Sequence, residues 1–168
     1  TAPATDADPR TFTPMPSDSA TTGAPVGLVT RGRDDEARRV VLRFLEALRD
    51  RDVTALEGAL TDPVARAGGV IARGALVAGL LRAAEANGLA RGGDLALVFD
   101  LPHAVVQPLA ARRDARRTSA RYRDDDLIVT FPVRSVQSGR RMSDFVFVRI
   151  SVAELVVRLA PEPRIVGL

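Results

Sequence analysis

The residues that could support catalysis or metal binding are few, and His103 is the first to consider. It is the only histidine, and the chain contains no cysteine. Disulfides and thiolate metal sites are therefore excluded, and a zinc site would need carboxylates as its other ligands. A histidine paired with a carboxylate can transfer protons. Asp100 is the nearest carboxylate, but Pro102 lies between the two in a segment that reads as a turn. We interpret His103 as a loop residue without a catalytic role.

A dense acidic run, Asp124, Asp125 and Asp126, could offer oxygen ligands to a hard cation. Calcium loops, however, place their ligands at alternate positions and need a glycine for their sharp turn. Three adjacent aspartates point in different directions, and several arginines precede these three. The run is therefore interpreted as a solvated or arginine-paired turn.

Three further carboxylates lie in or beside predicted strands: Asp94, Asp100 and Glu154. A general base on a strand needs a pKa raised by burial, and the pattern does not show which of the three faces inward. The sequence contains no nucleophile elbow, phosphate loop, dinucleotide fingerprint or HExxH motif. We therefore predict no catalytic, cofactor-binding or metal-ligating residue and no cofactor, and we leave enzymatic activity open with a preference against it.

Residues 112–123 (RRDARRTSARYR) form the most basic segment, with six arginines and one tyrosine. Arginine grips phosphates, anionic lipid headgroups and acidic protein surfaces. The alternative is a solvated loop paired with its own acidic neighbours. A nucleic-acid partner is disfavoured, because base-stacking aromatics are missing apart from Tyr122 and the net charge is only +3. All basic residues are arginine, which is typical of a GC-rich bacterium and accounts for part of the excess.

The first 33 residues read as an extended Pro/Thr-rich tail or tether. Residues 1–30 contain five prolines and seven threonines, with few sizeable apolar side chains. Such a segment buries too little apolar surface to offset its chain entropy, so we expect it to become ordered only against a partner. The predicted partner-binding residues are the apolar tail residues and the arginines that follow: Phe12, Met15, Val26, Leu28, Val29, Arg112, Arg113, Arg116, Arg117 and Arg121.

Residues 34–168 are predicted to form a single α+β domain. Apolar residues recur at helical spacing from Ala37 to Leu48, and Asp52 can cap a second helix. Beyond Gly88 the period changes from 3.6 to 2, which indicates strands. Residues 153–159 fit a strand or a helix, since short apolar runs are ambiguous. The predicted helices are about 34–51, 52–61 and 75–87, with a turn and brief strand within 64–74; the predicted strands are about 94–101, 103–109, 127–136, 144–151, 153–159 and 163–168.

The order of these elements resembles the cone-shaped NTF2-like superfamily. The resemblance is carried by FLEALRDRD at 44–52, by DVTALEGALTD at 52–62 and by Gly74 leading into ALVAGLLRAAE. It implies helices packed on a curved antiparallel sheet. It implies no activity, because this architecture hosts enzymes, binders and assembly modules alike. The chain departs from ligand-binding members, which line the cone with aromatics, in having six Phe, one Tyr and no Trp, and in its arginine-rich insertion.

Two functions from different classes follow. The first is a non-enzymatic accessory subunit that docks on a larger protein complex through its tail and arginine-rich segment, with an anionic lipid surface as a second contact. The alternative is a small-molecule binder or enzyme that uses the cone pocket. No run approaches the 18–20 apolar residues of a membrane span. The chain begins with Thr1, an end that a removed presequence, a cut after a lipidated cysteine or a fragment would leave. We expect an exported protein, periplasmic or lipid-anchored, with a cytoplasmic location as the alternative.

Overall fold

The first helix begins earlier than the sequence predicts. A computed structural model describes residues 26–112, 120–134 and 145–168, with side chains from Thr30 onwards. Helix α1 spans Val26–Asp50, so residues 26–33 are helical rather than part of an extended tail. Pro25 directly precedes this helix in the sequence, and proline is tolerated at a helix start but not in its interior. The rest of the tail lies outside the described residues.

Helix α1 packs its apolar stripe into the core as predicted. The buried residues follow the expected spacing, and Arg51 leaves the helix with a φ of 59°. Asp52 then caps helix α2 (Val53–Ala59), since its carboxylate accepts a hydrogen bond from the Ala55 amide at 2.9 Å. Both predicted helices therefore exist, but α2 ends at Ala59 instead of 61. The buried residues of α1 are Ala37, Val40, Val41, Phe44, Leu45, Ala47 and Leu48.

A β-hairpin separates α2 from the third helix. Strand β1 (Leu60–Arg66) and strand β2 (Gly69–Ile71) pair antiparallel across a turn at Gly68, whose φ of 81° suits glycine. Only a brief strand was expected here, because Pro63 and the glycines weaken the pattern. Helix α3 (Arg73–Ala86) follows, close to the predicted helix 75–87. It ends just before Gly88, whose φ of 65° is typical of a glycine that terminates a helix.

The predicted strand 94–101 is wrong. Asp94 accepts a hydrogen bond from the Ala96 amide at 2.9 Å and starts a short 3₁₀ turn, Leu95–Leu97. Leu95 and Phe99, four residues apart, are buried, whereas Leu97 is 65% exposed. The apolar residues of DLALVFDL fit both the alternation of a strand and the four-residue spacing of a helical turn. The hydrogen bond that Asp94 accepts favours the turn. Of this run, Phe99 forms an isolated bridge to Val133.

The remaining strands lie close to their predicted positions, with one exception. Of residues 145–151, the described part of the predicted strand 144–151, only Val148 and Arg149 pair as a strand, because Phe145 begins a turn that places its ring and that of Phe147 in the core. Residues 153–159, ambiguous in the sequence, belong to a strand. The strands are β3 (Val105–Pro108), β4 (Leu127–Pro132), β5 (Val148–Arg149), β6 (Val152–Arg158) and β7 (Arg164–Gly167).

The strands form one curved sheet in the order β2-β1-β7-β6-β4-β3, with β5 paired to β6. The expected sheet was antiparallel, but β1 runs parallel to β7, so the sheet is mixed. The helices pack on one face, and the chain has the predicted α+β fold. Among the described residues, none of the helices combines the length and apolar character that a membrane span requires.

Candidate functional site

The outer face of the sheet, opposite the helices, is crossed by two described stretches, residues 109–112 and 120–126, which we call the crossing segment. Leu109 and Tyr122 pack there against three strand residues, Ile128, Val156 and Val166, in a second apolar cluster separate from the main core. The Tyr122 ring lies directly over Gly167, where a Cβ atom would overlap it. Glycine at this position in β7 thus makes room for the crossing segment.

Asp126 fixes the end of the crossing segment to the sheet. Its side chain is 0% exposed, and both carboxylate oxygens accept hydrogen bonds from the Arg158 guanidinium at 2.8 Å. The Arg123 amide donates a third hydrogen bond to Oδ2 at 2.8 Å. The hydrogen bond to Asp126 raises the pKa of Arg158 above its ordinary value despite partial burial. The sequence predicted a turn that is either solvated or paired with arginine for residues 124–126. Asp126 is paired with an arginine, whereas Asp124 and Asp125 are exposed.

The carboxylate of Glu154 is also engaged on the outer face. Arg112 Nη1 lies 2.5 Å from Glu154 Oε1, and both side chains are mostly buried. Glu154 is paired across the sheet with Thr130, whose side chain points to the same face. Glu154 therefore faces away from the helix-lined interior, where a cone-type base would have to lie.

Asp100 forms a small polar cluster beside the sheet edge. Its Oδ1 lies 2.8 Å from His103 Nδ1, and its Oδ2 accepts a hydrogen bond from Arg134 at 3.1 Å. The hydrogen bond to His103, followed by that to Arg134, lowers the pKa of Asp100 below its ordinary value. The His103 side chain is 74% exposed. The predicted loop histidine thus has a carboxylate partner, but it lies at the surface.

Five phenylalanine rings cluster within the core between the helices and the sheet. Phe99 lies at its centre, with ring centroids 6.1 Å from Phe131, 6.2 Å from Phe145 and 6.1 Å from Phe147. Phe44 of α1 closes the group in an edge-to-face contact with Phe147 at 5.7 Å. All five rings are buried. They belong to the main apolar core between the helices and the sheet.

Two open grooves are found on the surface of the part of the chain that the structure describes. One, of about 430 Å³, runs along α1 and α2, with Ala47, Ala55 and Ala59 among its lining residues and Glu46 and Asp50 also lining it. The other, of about 320 Å³, lies between the start of β1 and the crossing segment. No group of three or more His, Cys, Asp or Glu side chains suited to a metal ion occurs among the residues that the structure describes.

The predicted partner-binding residues are placed only in part. Arg112 ends the first described stretch of the crossing segment, and Arg121 is the second residue of the other stretch. The Arg121 carbonyl accepts a hydrogen bond from Arg158 at 2.8 Å. Val26 and its neighbours belong to α1, although their side chains are not described. Leu28 and Val29 also belong to α1. The other predicted partner-binding residues lie outside the described residues: Phe12, Met15, Arg113, Arg116 and Arg117.

Sequence reasoning missed the residues that hold the crossing segment. Arg158 ends a strand and Gly167 lies near the end of the chain, so each is far in sequence from the partner it contacts. The signal available in the sequence was an arginine on a predicted strand, Arg158, together with the acidic run at 124–126, which could have suggested an ion pair between them. No family model matches the chain, and no curated protein matches it either.

Proposed function

We propose that this protein is a non-enzymatic accessory subunit that docks on a larger protein complex outside the cytoplasm or at a membrane. The observation that carries the proposal is the buried cluster formed by Phe99 and the three rings next to it. A small-molecule site is normally a concave pocket with a few convergent polar groups, whereas these rings pack against one another in the apolar core. The alternative of a cone-pocket binder or enzyme is accordingly disfavoured.

The carboxylates near the sheet support the same proposal. Asp126 and Glu154 are held by arginines, and Asp100 by His103 and Arg134. A general base needs a carboxylate whose pKa is raised, whereas the pKa of Asp100 is lowered. The order of elements (two helices, a hairpin, a third helix and a sheet) supports an NTF2-like cone. In this proposal the cone is a structural scaffold and does not bind a ligand in its interior.

Docking would use the tail and the arginine-rich segment. Residues 1–25 contain Phe12 and Met15 within a Pro/Thr-rich stretch. Such a segment can become ordered on binding and contact a large area of a partner's surface. Arg113, Arg116 and Arg117 follow the anchored Arg112 in sequence and would supply charge complementarity, which aids register and association rate.

The test is recovery of the assembly from the producing cell. We expect tagged full-length protein to co-purify with a fixed set of subunits at a fixed ratio. Deletion of residues 1–25 should abolish that recovery, and the triple variant R113A/R116A/R117A should reduce it. Arg82→Ala, an exposed arginine of α3, is the matched control. A full-length protein that elutes as a free monomer, or a deletion variant with unchanged recovery, contradicts the proposal.

A further inference from the structure

We draw no further inference here: the strongest candidate, the arginine-lined groove of about 320 Å³ between the start of β1 and the crossing segment, carries nothing because its Arg158 is already ion-paired with Asp126, Asp62 lines the same groove with an opposing charge, and nothing in the structure shows what would occupy it.

Discussion

Replacing Asp126 with asparagine tests whether one buried ion pair fixes the crossing segment to the sheet. The carboxylate accepts three hydrogen bonds at 2.8 Å, two from Arg158 and one from the Arg123 amide. Asparagine offers only one acceptor oxygen, so its amide group would face a donor. Arg158, whose side chain is 15% exposed, would then lack its counter-charge. Removing one partner of a buried pair costs about 3–5 kcal/mol, and the access of Arg158 to water favours the lower end.

A loss of about 3 kcal/mol corresponds to a Tm decrease of about 6–12 °C for a chain of this length. Thermal unfolding followed by circular dichroism, with urea unfolding as a second measurement, gives both values. Asp125→Asn is the matched control, because the Asp125 side chain is exposed and the hydrogen bond that Asp125 accepts from Arg33, at 2.9 Å, is made by its backbone carbonyl. The control should stay within about 0.5 kcal/mol of the wild type.

The double variant D126N/R158M completes the test. If the cost of Asp126→Asn comes from an uncompensated guanidinium, methionine at position 158 should recover part of the lost stability, so the two substitutions should be non-additive. The reasoning is refuted if the Tm of Asp126→Asn lies within about 1 °C of the Tm of Asp125→Asn. At about 2–4 °C per kcal/mol, such a difference would correspond to less than about 0.5 kcal/mol.

Three other substitutions probe the core, the outer face and the polar cluster. Phe99→Ala should lower the free energy of unfolding by about 3–5 kcal/mol in urea titrations, because it opens a cavity between the other rings; a loss below about 1 kcal/mol would mean that the interior is loosely packed. Gly167→Ala should cost about 1–3 kcal/mol by overlap with Tyr122, and the cost should shrink when Tyr122→Ala is present; additive costs would disprove the overlap. Asp100→Asn should lower Tm at pH 6. Since hydrogen bonding to His103 lowers the folded-state pKa of Asp100, its contribution is present above its unfolded pKa of about 3.9 and disappears as the pH falls through the folded value. The difference in Tm between wild type and variant should therefore shrink below about pH 4, and a difference that grows on acidification would contradict this.

Local patterns in the sequence predicted most of the helices and strands. The stripe from Ala37 to Leu48 and the cap at Asp52 are signals between near neighbours, and the structure confirms both. Where two local patterns compete, as between residues 94 and 101, the sequence alone does not decide. There the carboxylate of Asp94 favours a turn over the strand that the alternation indicates.

The parallel pairing of β1 with β7 and the contacts of the crossing segment could not be predicted. Leu60 is aligned with Ile165, more than a hundred residues later, and Asp126 reaches Arg158 across 32 positions. Neither pairing leaves a periodic signal in the sequence. Pro63 further masks β1, because proline weakens a strand pattern while still being tolerated at irregular pairings.

The distribution of polar groups between the two faces of the sheet argues for recognition at the surface. Toward the helices, Phe99 and its neighbouring rings are buried in the apolar core. On the outer face, Asp126 and Glu154 are each ion-paired with an arginine. The proposed accessory role therefore relies on contacts made by the exterior of the domain, in the tail and in the arginine-rich segment, rather than on chemistry in its interior.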